Sequence, residues 1–265
     1  MYVDTHAHLW FDDYQNDLKD VIARAKLATV EKFVVPGTDI ESSRKAIELA
    51  KIYPDIIYSA IGIHPEEVGP GKFDIESNIG ELNVLIGDNR GLVHAIGEIG
   101  TDASSDALNN CLGEQKELFL RQCEMALTHD LPVIIHTRNS LVQALEVLDS
   151  LPSMPRGQFH CFSHDEEGIK QVLSRGFFVS FCGNISWSKR VAKLVSLIPD
   201  EKLLLETDSP LMVPRDKRRN PIHMKERNEP ANVVYLAKII ADLRGQDLQK
   251  IAKITSDNAK TLYRL

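Results

Sequence analysis

Short apolar runs alternate with longer amphipathic stretches from one end of the chain to the other. The short runs are rich in Val, Ile, Leu and Phe. They read as strands at Tyr2–His6, Lys32–Pro36, Ile56–Gly62, Val93–Gly97, Pro132–His136, Gln158–Cys161, Phe177–Phe181 and Leu203–Thr207. The stretches between them carry apolar residues at helical spacing. They predict helices at Asp17–Lys26, Ser42–Ile52, Ile75–Ile86, Glu114–Thr128, Ser140–Leu148, Glu166–Arg175, Val191–Leu197, Ala231–Leu243 and Leu248–Leu262. Eight strand–helix repeats in about 250 residues are the pattern of a (β/α)8 TIM-type barrel, an α/β fold; a doubly wound open sheet is the alternative. No Gly/Ser/Pro-rich linker interrupts the alternation, so residues 1–265 read as one domain. Pro132 opens its strand, where a missing N–H is tolerated, and Pro54 and Pro199 fall just past helix ends.

In such a barrel the active site lies at the C-terminal ends of the strands. The first strand ends in His6-Ala7-His8. Alternate strand residues share a side, which puts these two imidazoles about 7 Å apart at Cα, close enough to share one divalent ion. Asp4, one step deeper, is a candidate to orient one of them. On its own an H-x-H pair is equally at home as packed structure. The other strands answer it, however. Glu98 ends the fourth strand, His136 the fifth, His160 the sixth and Asp208 follows the eighth. Buried imidazoles and carboxylates are costly unless paired or ligating, and a random scatter would not place them all at one rim. The set His6, His8, Glu98, His136, His160 and Asp208 suffices for two divalent ions, with Glu98 a natural bridge and Asp208 placed to take a proton from the attacking water. His64 ends the third strand before a proline and reads as a substrate contact. His94 shares the strand parity of Glu98 and reads as an interior hydrogen-bonded residue, His129 as a helix terminus, and His164 and His223 as rim-loop residues of open role.

Composition narrows the partners. The net charge is −7, so the chain as a whole carries no basic nucleic-acid footprint. Between Asp208 and Pro230, however, stand Arg215, Lys217, Arg218, Arg219, His223, Lys225 and Arg227, a local excess suited to phosphate. Arg218 and Arg219 are its centre, and a plain solvated loop is the alternative. Trp10, Phe11 and Trp187 fall in rim loops, where they could stack bases or pack on the barrel shoulder. Cys111, Cys123, Cys161 and Cys182 show no C-x-x-C or disulfide-framework spacing, which fits a reduced, cytoplasmic chain. No apolar run is long enough to span a membrane. No cleaved leader is expected either, since cleavage would remove His6 and His8.

With these residues in hand, the sequence closely resembles the TatD-type metal-dependent deoxyribonucleases of the amidohydrolase superfamily. The matching pieces are Asp4-Thr5-His6-Ala7-His8, Gly62-Ile63-His64-Pro65, Gly97-Glu98-Ile99-Gly100, Leu131 to Arg138, His160-Cys161-Phe162-Ser163, Glu206 to Pro210 and Arg227-Asn228-Glu229-Pro230. They occur in order over the full length. The resemblance implies a metal-filled barrel acting on DNA ends with a 3′→5′ exonuclease preference. It also implies that the six residues above are ligands and that His64 and Arg138 lie near substrate. Two departures stand out. The family pattern Gly-Glu-Ile-Gly-Leu-Asp followed by aromatics reads here Thr101-Asp102-Ala103-Ser104-Ser105 after Gly100, which removes a base-stacking platform from that loop. His164 replaces a glycine, where it would crowd the mouth or contact phosphate.

The expected cofactors are two divalent ions. Four imidazoles favour Zn²⁺ or Mn²⁺, whereas the family is usually described as using Mg²⁺. Single-stranded DNA or DNA ends are the expected substrate, with no membrane and no obligate protein partner. Two other readings remain open. One is an ester or amide hydrolase, including aminoacyl-tRNA deacylation; the other is a catalytically silent nucleic-acid-binding protein.

Overall fold

The computed structural model describes residues 1–69, 73–216 and 227–265. Its elements in chain order are β1 (Tyr2–Asp4), α1 (Leu18–Leu27), β2 (Val30–Pro36), α2 (Ile40–Ile52), β3 (Ile57–Ile61), α3 (Ile75–Asp88), β4 (Val93–Asp102), α4 (Asp106–Asn110) and α5 (Leu112–His129). They continue with β5 (Val133–Arg138), α6 (Leu141–Ser150), β6 (Gly157–Phe159), α7 (Glu166–Ser174), β7 (Phe178–Phe181), α8 (Lys189–Leu194), β8 (Leu203–Leu205), α9 (Val233–Arg244) and α10 (Leu248–Tyr263). The eight strands form one all-parallel sheet in the order β1 to β8. Beyond Asp4 and Leu205 the first and last strands meet: Thr5 N–H donates to Leu205 O at 3.0 Å, Asp208 N–H to His6 O at 2.9 Å, and His8 N–H to Ser209 O at 2.8 Å. The barrel therefore closes through the very segments that carry three candidate ligands. The open-sheet alternative is excluded.

Every predicted strand and helix is present, and the boundaries move for identifiable reasons. Helix α2 starts at Ile40, two residues early, because Ser42 is the third residue of a capping box whose N-cap is Asp39. The expected helix Val191–Leu197 is α8 plus a 3₁₀ turn at Val195–Leu197. The short α4 was not expected; Ser105 caps it. Strand β4 runs five residues past Gly97, pairing Gly100, Thr101 and Asp102 with His136, Thr137 and Arg138 across an irregularity between Ile96 and Ile99. Gly100 makes that extension possible. Its φ is +145°, and a Cβ there would lie 2.0 Å from the His136 carbonyl oxygen.

Two apolar layers hold the barrel. The larger lies between sheet and helices and includes Phe33, Ile61, Ile99, Phe119, Phe159, Phe181 and Leu236. The smaller fills the barrel's interior: Val3, Val34, Ala60, Ala95, Ile134 and Leu204 meet Ala259, Leu262 and Tyr263 of α10, which closes the N-terminal mouth. Ala95 faces this interior, so His94 does not. It sits half-buried outside, against the Tyr58 ring, with Nδ1 2.8 Å from Leu92 O. The expected interior role for His94 fails because the β4 irregularity breaks the parity that linked it to Glu98. Among the described residues no helix is long and apolar enough to cross a membrane.

Candidate metal centre

At the C-terminal rim the polar ends converge. His6 Nε2 lies 3.1 Å from His8 Nε2, 3.2 Å from Glu98 Oε2 and 3.6 Å from Asp208 Oδ1. His8 Nε2 is 3.5 Å from both carboxylates. The other Glu98 oxygen, Oε1, is 2.8 Å from His160 Nε2, 2.9 Å from His136 Nδ1 and 3.3 Å from His64 Nε2. One carboxylate thus divides five imidazoles between its two oxygens. Ligands bound about 2.1 Å from a common ion are separated from one another by roughly 3.0–3.4 Å; the separations here run from 2.8 to 3.6 Å and bracket that range. The donor set fits divalent metal. Imidazole lone pairs and carboxylate oxygens face common points rather than pairing one to one, and the buried Nδ1 atoms of His6 and His160 have no hydrogen-bond partner among the described residues.

The remaining ring nitrogens sort the histidines. A neutral imidazole has one N–H and one lone pair, and the partner of one nitrogen fixes the role of the other. His8 Nδ1 lies 3.3 Å from Pro36 O, which can only accept, so Nε2 carries the lone pair into the site. His136 Nε2 lies 2.9 Å from Asp102 Oδ2, leaving Nδ1 as the lone pair beside Glu98 and His160. His64 is the reverse. Its Nδ1 accepts the Glu66 N–H at 3.2 Å, so Nε2 carries the hydrogen and donates to Glu98. In that tautomer His64 is a donor, although it stands among the candidate ligands.

Three further carboxylates brace the centre. Asp102 holds His136. The hydroxyl of Ser180 donates to Glu206 Oε2 at 2.7 Å, and the Cys161 N–H donates to Glu206 Oε1 at 2.5 Å, which lies 3.7 Å from His160 Nδ1. Asp4 does not touch an imidazole, contrary to the expectation that it orients one. It accepts the backbone N–H groups of His6 and Thr207 at 3.2 and 2.9 Å and the Thr207 hydroxyl at 2.6 Å, clamping β1 to β8. Asp102 and Glu206 were not singled out in the sequence. Their signal was weak but present: each lies an even number of residues from a candidate ligand.

The electrostatics are those of a cation site. Burial alone would raise the Glu98 carboxyl, but the charges of His160, His64 and His6 and the His136 hydrogen bond hold it well below the carboxylate range. Burial and the His160 charge lower His6. On His8 burial is outweighed by the Asp208 hydrogen bond and the charges of Glu98 and Asp208, and its pKa rises. Asp208 itself sits at φ +56°, in the left-handed region that non-glycine residues seldom adopt. The bridge between Ala7 and Ser209 holds it there, a strain common at working sites.

The outlying residues divide. Arg138 is exposed at the end of β5, and its guanidinium has no ion pair or hydrogen bond to other described residues, although its carbonyl accepts the Ala103 N–H at 2.8 Å. His164, expected to crowd the mouth or meet phosphate, turns its Nε2 to the hydroxyl of Thr137 at 2.9 Å. Arg227 is tied to Asp17 and Glu229 at 2.8 and 2.9 Å. Arg218, Arg219, Lys217, His223 and Lys225 lie outside the described residues.

A parallel barrel that presents histidines and carboxylates at this rim defines a metal-dependent hydrolase. The comparisons then place it more narrowly. The model of the TatD related DNase family matches residues 3–264, and the chain belongs to that family. It is 36% identical over the full length of both chains to an uncharacterised metal-dependent hydrolase, YabD, of Bacillus subtilis. It is 33% identical, over 98% of each chain, to the 3′-5′ ssDNA/RNA exonuclease TatD of Salmonella typhimurium. Among solved structures, the TatD homologue YjjV of Escherichia coli K12 superposes with a TM-score of 0.89 at 26% identity, covering 100% of this chain and 98% of that one.

Proposed function

We propose that the chain hydrolyses phosphodiester bonds at the 3′ ends of single-stranded DNA, with two divalent ions at the rim and in the cytoplasm. The observation that carries this is the division of Glu98. Its Oε2 faces His6 and His8, and its Oε1 faces His136 and His160. One ion would be held by His6, His8, Asp208 and Oε2, the other by Oε1, His136 and His160. Such a pair lowers the pKa of an attacking water and neutralises charge on the phosphate. The chain's own groups do the rest. Asp208 accepts the proton of the water that attacks phosphorus. When substrate enters, the Nε2–H of His64 turns from Glu98 to a phosphate oxygen. Arg138, exposed at the same rim, pairs with the phosphate of the strand, and Arg218 and Arg219 extend that grip along the backbone. The relatives named as 3′-5′ exonucleases support the polarity. Zn²⁺ or Mn²⁺ suits the imidazole-rich donor set, with Mg²⁺ the alternative.

The test is hydrolysis of a 5′-end-labelled single-stranded oligonucleotide with Mg²⁺, Mn²⁺, Zn²⁺ or EDTA, beside Asp208→Asn. Laddering from the 3′ end that needs metal and is lost in the variant is the expected result. No cleavage from protein shown to contain metal would transfer the site to an ester or amide substrate.

A further inference from the structure

Beside the metal centre the surface opens into a groove of about 490 Å³ between the loop after β1 and helix α2. Its inner wall is Trp10 and Phe11; its outer wall includes Arg44, Lys45 and Leu49. The inner wall is continuous with the metal centre, because the His8 ring lies edge-on to Trp10 at 5.7 Å and 5.4 Å from Phe11. The indole does not swing freely. Trp10 Nε1 donates to Pro36 O at 2.7 Å, the same carbonyl that faces His8 Nδ1. The two rings stack obliquely, with centroids 4.6 Å apart, and remain partly exposed to the groove. The volume falls within the roughly 300–1,000 Å³ of ligand pockets.

The charges select the occupant. Asp12, Glu41 and Glu48 offset Arg44 and Lys45 along the groove, and the two cations are already paired, Lys45 with Glu41 at 2.8 Å and Arg44 with Glu81 at 3.1 Å. Nothing there attracts a phosphate away from the histidine-lined rim. A flat, uncharged ring is the fitting guest. We infer that this groove is a nucleobase subsite: it takes, against Trp10 and Phe11, the base of a nucleotide flanking the phosphate held at the metal centre. The inference rests on the phosphodiesterase reading and supplies what that reading lacks, a stacking surface in place of the aromatics missing after Asp102. Stacking on an aromatic side chain is worth roughly 5- to 100-fold in affinity per base and tolerates any sequence.

The chain has two tryptophans, so Trp187→Phe leaves Trp10 as the only indole. In that protein, loaded with metal and read by rapid mixing before turnover, oligothymidylate is titrated against an abasic phosphodiester strand of equal length. The expected result is quenching of Trp10 by the thymidylate strand and not by the abasic one, with a 5- to 100-fold gap between their apparent Kd values. Phe11→Ala should collapse that gap to less than about threefold, a ratio that cancels any general weakening of the protein. Equal quenching by both strands, or quenching by neither, overturns the subsite whether or not the strand is later cleaved. Base-dependent quenching without cleavage keeps the subsite and sinks the nuclease reading instead.

Discussion

The two ends of this barrel are built from opposite chemistry on one scaffold. At the N-terminal mouth six strands contribute Val3, Val34, Ala60, Ala95, Ile134 and Leu204 to an apolar floor sealed by α10. At the C-terminal rim the next inward positions are Glu98, His136 and Glu206, joined by His6, His8, His160 and Asp208, all at least four-fifths buried. The floor gains from removing apolar surface from water. The rim gathers imidazoles and anions that one-to-one pairing does not satisfy, an arrangement that bound metal would complete. The lesson is a division of labour: the floor holds the strands in register, and the rim uses that register to converge ligands.

The comparison breaks if the two ends can be exchanged in their effects. The largest expected effect is at the rim. Glu98→Gln should lower kcat at least about 10³-fold, because the shared anion is lost while the shape is kept. Its melting temperature, measured without metal, should move by only a few degrees, about 1 kcal/mol or less. Substantial residual turnover would show that Glu98 does not join the two halves of the site. Next comes the floor. Leu262→Ala should cost about 2–5 kcal/mol of stability by leaving a cavity, and denaturant titration should show the loss. Its kcat at 25 °C should stay within about threefold of wild type, since no ligand touches it. A large fall in kcat would tie floor to rim.

Asp102→Asn sharpens the picture from an intermediate position. It should weaken metal affinity or activity about 10- to 100-fold by freeing the His136 ring, as loss of such a bracing partner usually does. It also carries a pH signature. Burial would raise the Asp102 carboxyl, but hydrogen bonds from His136 and Ser104 hold it at about 2. A folded pKa below the unfolded one means stability that is full above about pH 4 and lost as the pH falls through 2. Acid unfolding of Asp102→Asn should therefore be flatter across that window; an unchanged acid limb would separate Asp102 from His136. The smallest effect belongs to a polar atom of α10 in the floor. The Tyr263 hydroxyl is buried with no hydrogen-bond partner among the described residues, so Tyr263→Phe should be neutral or stabilising by up to about 1 kcal/mol. Clear destabilisation would reveal a partner for it.

Strand and helix order were legible because each element's apolar period is local. So was the convergence of the candidate ligands, because a barrel puts every strand's C-terminal end at one rim, and a residue's place along the chain then fixes its end of the molecule. His94 misled because parity is legible only along a regular strand, and the irregularity between Ile96 and Ile99 depends on how β4 meets β5. Asp4 misled for a related reason: the chain leaves β1 at Thr5, turning its carboxylate from an imidazole to the backbone of the neighbouring strand.

The sequence by itself determined the barrel, the rim and the kinds of atoms that meet there. These follow from periodicity and from the cost of burying unpaired polar groups. Only the tertiary structure decided which oxygen of Glu98 serves which histidines, and that His64 enters as a donor while His8 and His136 present lone pairs. That assignment rests on partners distant in the chain, the carbonyl of Pro36 for His8 and the carboxylate of Asp102 for His136. No local pattern encodes contacts across the barrel, because they exist only once β1 has closed against β8.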